Sequence, residues 1–236
     1  LTSIGARQEA RGALETGLAL ADAIGSSGAV RHAQMNLLGW AATFGNDKAL
    51  EVHLAEVRAE ADSTASGVWA APDRANLGVL FYRGMELLRA KNETACKRAA
   101  ALLRMAAQGY RATGNRDILP AALGLWAEAE RRCGNSQRAA ELAREAAELL
   151  ESGAPSLLNE SSVYLPPHDA CVELEDADHA KQAVIRGLQP LQRRLEGLLG
   201  TTYARLFLTE LPNNAALLAA AEGYGLVPER IHRLLE

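Results

Sequence analysis

The chain has little of what β-structure is made from. Val and Ile together fill 14 of its 236 positions and the three aromatic types make up 5%. Strands draw on β-branched and aromatic side chains to cover a pleated surface, so a sandwich, a barrel or a doubly wound sheet is excluded. Cysteine is scarce too: Cys96, Cys133 and Cys171 are odd in number and irregularly spaced, which is neither a disulfide framework nor a paired CxxC metal knuckle. That usage fits a reducing cytoplasm. Basic excess is absent, with 25 Lys and Arg against 29 Asp and Glu and a formal charge of −4, so the electrostatic footprint of a nucleic-acid binder is missing. No apolar run of about 18 residues exists to span a bilayer, and the amino end lacks the succession of a secretory signal. These absences describe a cytoplasmic segment that binds neither nucleic acid nor membrane, with protein partners or other parts of its own chain as the expected contacts. Leu1 stands where an initiating Met would, so a fragment of a larger protein is expected.

What is abundant is Ala, with 46 residues, and Leu, with 37. Both lose little on entering a helix, and an all-α fold follows. Gly, Asn and Asp punctuate the periodic stretches. Gly45-Asn46-Asp47, Lys91-Asn92-Glu93 and Gly134-Asn135-Ser136 separate long helical patterns, with the Asn residues 46 and 43 positions apart. Gly25-Ser26-Ser27-Gly28 and Gly114-Asn115-Arg116-Asp117 mark a second kind of junction. Gly25 to Gly114 and Gly45 to Gly134 are both 89 residues. A phase kept over two units of about 45 residues is the mark of a stacked helical array, in which one hairpin cannot bury its apolar face alone.

The periodicity predicts helices near 6–24, 29–44, 47–62, 73–90, 93–113, 117–133, 136–152, 168–175, 178–198, 202–210, 214–223 and 228–235. Residues 1–236 are then one repeat domain of hairpins at about 6–44, 47–90, 93–133, 136–175 and 178–210, capped by helices in 214–235. The logic is plainest in 136–152: Ala139, Leu142, Ala143, Ala146 and Leu149 or Leu150 form one stripe, and Arg138, Glu141, Arg144, Glu145 and Glu148 take the other side. Residues 151–169 read as a connection whose Leu157, Leu158, Val163 and Tyr164 pack on the stack, because the adjacent Pro166 and Pro167 are expected to exclude helix. Gly187 and Pro190 predict a kink in the pattern around them.

Aligned on their turns, the hairpins resemble tetratricopeptide repeats. In residues 120–153, Ala127, Ala139 and Ala146 occupy the family's three small-residue places at spacings of 12 and 7. Other units are degenerate: Leu38-Gly39 leads to Ala49 with a turn one residue short, and Gly84 leads to Cys96 where Ala is expected. The carboxyl end, Tyr203 to Ala221, is similar to the closing segment of the repeat regions in STAND-type signalling ATPases, LuxR-type transcriptional regulators and ATPase-fused nucleotide cyclases. The resemblance implies a right-handed α-solenoid serving as the sensor or scaffold arm of a bacterial regulator. The partner would be a protein, a peptide or an upstream nucleotide-binding domain of the same chain.

Motifs for chemistry are missing. The sequence has no GxxxxGK[ST] phosphate loop, GxGxxG turn, GxSxG elbow or HExxH helix, so no enzyme activity and no cofactor are expected. His168, Cys171 and His179, with Glu173, Glu175, Asp176 and Asp178, form the densest set of potential metal ligands. They read as a turn with a half-buried thiol and solvated acids, since zinc needs three or four converging ligands. Asn92-Glu93-Thr94 matches the glycosylation pattern but reads as a helix cap, and Asn159-Glu160-Ser161 is likewise not expected to be modified. Carrying the repeat phase over places Asn36, Trp40, Phe81, Arg89, Glu128, Arg131 and Arg132 along the concave face that receives partners in such stacks. Trp and Arg are common interface anchors, while ordinary core packing is the competing assignment for Trp40 and Phe81. Trp69 and Trp126 read as core. The second functional reading is a helical domain that senses a small molecule or peptide, and the third an enzyme using the His168 to His179 cluster.

Overall fold

A computed structural model describes the chain except for residues 1, 3, 4, 46, 47, 66–73, 91 and 153–160. Trp69, Leu157, Leu158 and Asn159 therefore lie outside the described residues. Those described are helical, with twelve α-helices and no strand. Their contacts cluster into two compact bodies, Arg7–Asn115 and Arg116–Glu236, the latter including Gly5 and Ala6.

The amino-terminal body holds α1 (Arg7–Ala23), α2 (Ser27–Phe44), α3 (Glu51–Ala65), α4 (Arg74–Leu88) and α5 (Glu93–Ala112), with a single 3-10 turn at Lys48–Leu50 ahead of α3. Local chemistry sets the ends. Ser26 and Asn92 cap α2 and α5 by accepting the amides of Ala29 and Ala95, which satisfies donors the helix itself cannot. The close pairs are α1 with α2 and α4 with α5, and α2 also packs against α4. Helix α3 touches α2, α4 and α5 less extensively than these touch one another, so the expected 47–90 hairpin is the weaker of α4's partnerships. Leu37, Leu38, Trp40, Leu77, Leu80, Phe81, Leu102 and Leu103 form the core.

Small residues bring these helices together. A Cβ on Gly84 of α4 would stand 2.6 Å from Leu103 Cγ of α5, and one on Gly39 of α2 would stand 2.9 Å from the Tyr82 ring of α4. Glycine at such crossings admits a bulky side chain directly onto the backbone.

The carboxyl-terminal body holds α6 (Leu119–Arg132), α7 (Ser136–Glu151), α8 (Ser161–Glu173), α9 (Ala177–Glu196), α10 (Tyr203–Thr209), α11 (Pro212–Gly223) and α12 (Glu229–Leu235). Here α6 pairs with α7 and α8 with α9, while α8 also packs on α6 and α7, and α11 on α9. The apolar stripe expected on α7 is buried at Ala139, Leu142, Ala143 and Ala146. Gly134, at φ +83°, ends α6 in the left-handed conformation that lets the next amide, Asn135 N–H, reach back to the Glu130 carbonyl at 2.9 Å. Glu175 does the same after α8 at φ +56°, its neighbour Asp176 bonding the Cys171 carbonyl at 2.8 Å.

One expectation is corrected. Helix α8 begins at Ser161, not near 168, and runs through Pro166 and Pro167. Both prolines fall in its second turn, where they forfeit the bonds to the carbonyls of residues 162 and 163 and press their rings on those carbonyls, although their fixed φ suits a helix. Burial of Val163, Tyr164 and Ala170 offsets that loss. Helix α9 spans Gly187 and Pro190, both buried; Gly187 has Leu217 and Tyr164 against it, each 3.0 Å from the position of a Cβ.

Candidate functional site

The seven residues placed on a concave face by the repeat phase divide between the two bodies and between core and surface. Trp40 and Phe81 are 2% and 1% exposed, so both are core residues and offer no surface to a partner. Trp40 is held by its Nε1–H, which donates to the Arg7 carbonyl at 2.9 Å, and by Arg7 and Arg11 near its ring. Phe81 stacks edge-on against Tyr82 and Tyr110. Burial raises the pKa of both tyrosines, and at Tyr110 the nearby Tyr82 adds to it. Asn36 is half-buried and Arg89 exposed on the same body, with Arg89 Nη1 donating to the Thr43 carbonyl at 2.9 Å.

Glu128, Arg131 and Arg132 are brought together, but as a charge cluster rather than as separate anchors. Arg131 grips Glu128 through two bonds of 2.9 Å, pairs with Glu173 and lies 3.7 Å from Asp169, both on α8. Arg132 takes the same Glu128 from one turn away. Burial acts to lower the Arg131 pKa, and the Glu128, Glu173 and Asp169 carboxylates outweigh it, so the net shift is upward. A guanidinium so engaged ties α6 to α8. The spacing of Glu128, Arg131 and Arg132 shows in the sequence; the closing carboxylates, about 40 residues downstream, do not.

A second charged group went unrecognised in the sequence. On the amino-terminal body Arg58 of α3 bonds Glu86 of α4, and Asp62 of α3 receives both Nε and Nη2 of Arg83 at 3.1 and 3.0 Å. Arg98 of α5 reaches the same Asp62 at 2.8 Å, and Arg31 of α2 pairs with Glu60 of α3. Burial acts to lower the pKa of Arg83 but Asp62 and Glu86 raise it overall. Beside the Arg31 pair a polar cleft of about 430 Å³ opens, lined by Asp22, Ser27, Val30, Gln34, Glu56 and Glu60 among others.

The histidine and cysteine set does not converge. His168 Nδ1 lies 2.7 Å from Asp169 and His179 Nδ1 2.7 Å from Asp176, so the two rings engage different carboxylates. Among the described residues no group of three or more His, Cys, Asp or Glu is placed to hold a metal ion. The Cys171 thiol is pushed up in pKa by burial and then by the Asp176 carboxylate, the opposite of what a nucleophilic thiolate requires. Trp126 is buried as expected, its Nε1–H donating to Glu130 at 2.8 Å. Among the described residues no helix is long and apolar enough to cross a membrane. No family model, curated protein or solved structure matches the chain.

Proposed function

We propose that this chain is a non-catalytic helical-repeat scaffold, a tetratricopeptide-like right-handed stack that acts as the sensor arm of a bacterial signalling or transcriptional regulator of the STAND or LuxR type. One observation carries the reading: four long helix pairs, α1/α2, α4/α5, α6/α7 and α8/α9, are each joined by a turn of three or four residues. Helices so connected run antiparallel, and repetition of one hairpin along a chain builds an extended recognition surface rather than a single reactive pocket. The intended partner is a protein or peptide, or the nucleotide-binding domain of the same polypeptide, in the cytoplasm. Such a partner shifts the regulator only in so far as it binds one arrangement of the arm more tightly than another.

The surface for this role is carried by exposed charge, Arg89 on one body and Arg132 on the other, since Trp40 and Phe81 are core. Proteins retained by the immobilised chain are to be compared with those retained by Arg89→Glu and Arg132→Glu forms of unchanged helix content. A defined partner lost from one of the two forms is the expected result. Identical capture by all three removes the proposed surface, and turnover of a small molecule by the purified chain removes the non-catalytic assignment.

The ligand-sensing alternative has its own support in the polar cleft between α2 and α3. A thermal-shift screen of small polar molecules, with Gln34→Leu as the control, separates it: stabilisation of the parent and not of the control favours sensing.

A further inference from the structure

Helix α3 is attached unlike its neighbours. The other helices of the amino-terminal body meet through buried Leu, Ala and aromatic side chains, and α1, α2, α4 and α5 form a continuous set of contacts without it, because α2 packs directly on α4. Helix α3 lies against that set by a narrow stripe, Leu54, Val57 and Ala61, with Leu50 just ahead of it, all at most 1% exposed. Charge surrounds the stripe. Every cross-helix ion pair described in this body has α3 at one end: Arg31 to Glu60 from α2, Glu86 to Arg58 and Arg83 to Asp62 from α4, and Arg98 to Asp62 from α5. These groups are partly exposed, from 11% for Glu86 to 45% for Arg98. Added salt screens their attraction, whereas apolar contacts such as those of α4 with α5 are not weakened by it.

We propose that α3 is a releasable strap, and that the surface it covers on α2, α4 and α5 is a docking site for an amphipathic helix with α3 as resident occupant. The site recognises an apolar stripe at i, i+4, i+7 and i+11 flanked by acid and base, the pattern of Leu50, Leu54, Val57 and Ala61 with Arg58, Glu60 and Asp62. The occupant belongs to this chain, so the inference does not depend on the scaffold reading.

Two measurements on the full chain test it. Hydrogen exchange of the parent chain in 0.05 M and 0.5 M sodium chloride is expected to speed the amides of 52–63 by about tenfold, leaving those of α4 and α5 unchanged. Second, Arg58→Gln with Glu60→Gln weakens the strap from its own side and leaves Arg31, Arg83, Glu86 and Arg98 in place. A fluorescent peptide copying residues 48–65 is then expected to bind that variant at least tenfold more tightly than the parent, and a scrambled peptide neither. Insensitivity of α3 to salt, acceleration of α4 and α5 in step with it, or peptide binding no tighter to the variant overturns the proposal. Loss of helix content beyond the 15 residues of α3 in the variant also counts against it, since α3 would then be part of the core.

Discussion

At the scale of single residues, backbone geometry decides more than side-chain chemistry. Gly84 and Gly12 are both helical glycines, and replacing either with Ala gains about 1 kcal/mol of helix propensity. On Gly84 the added methyl meets Leu103, which is fully buried, and overpacking costs about 1–3 kcal/mol; at Gly12 it meets nothing within 4 Å. Urea unfolding is therefore expected to show Gly84→Ala less stable than the parent and Gly12→Ala more stable by about 0.5–1 kcal/mol. The repeat pattern gives Gly84 a small-residue place and Gly12 none, and the neighbouring helix supplies the reason, Leu103 against Gly84. Glu175 is the converse case, a residue with a Cβ in the left-handed position that Gly134 fills elsewhere. Glu175→Gly is expected to raise the unfolding free energy by roughly 1 kcal/mol in the same measurement, the strain a non-glycine residue carries there. Asn214, the buried polar residue in the described core, donates to the Phe207 carbonyl at 2.7 Å and so ties α11 to the end of α10. Its replacement by Ala leaves that carbonyl without this donor and is expected to cost about 1–3 kcal/mol.

At the scale of the element, the helices were legible because propensity, stripe and cap agree. Asn92 stands just before the apolar pattern of α5 and accepts the Ala95 amide at 2.9 Å; Asn92→Ala is expected to lower stability by about 1 kcal/mol, with faster exchange at the first turn of α5. Asp176 caps α9 through the His179 amide, and its carboxyl is held below the usual range first by the His179 side chain and then by that amide. A depressed carboxyl contributes stability above its unfolded pKa and loses it as pH falls through the folded value. The first turn of α9 is therefore expected to loosen below about pH 4, seen as rising amide exchange at residues 177–180 corrected for intrinsic rate. Helix α8 was half legible. A local rule against paired prolines started it too late in the chain, and burial of Val163, Tyr164 and Ala170 carried the helix across them. Helix α3 was visible as an element but not in its attachment, since Arg83, Glu86 and Arg98 that hold it lie 20 to 40 residues away.

At the scale of the whole molecule, the formal charge of −4 leads to the expectation that polyanions are not partners. The chain is expected to pass through immobilised heparin unretained at 50 mM salt, because binding to phosphate or sulfate tracks requires a cationic surface whose counterions can be released. The phase of the turns, read at 45 residues, places the junctions that close α4/α5 and α6/α7, yet the grouping of helices into the bodies Arg7–Asn115 and Arg116–Glu236 is not written in that phase. What the sequence by itself determined is the class of the elements and, among the described residues, their number: Ala and Leu in place of β-branched residues, stripes of period 3.6, and Asn, Ser and Asp caps are properties of short stretches, each acting over a few residues. What only the tertiary structure decided is which faces became interior. Trp40 and Phe81 could not be assigned to groove or core from their spacing, because a helix has several candidate faces and its neighbours choose among them. The charges that hold α3, and those that tie Arg131 to α8, depend likewise on a partner distant in sequence, and Coulomb attraction and close packing act between neighbours in space whatever their distance along the chain.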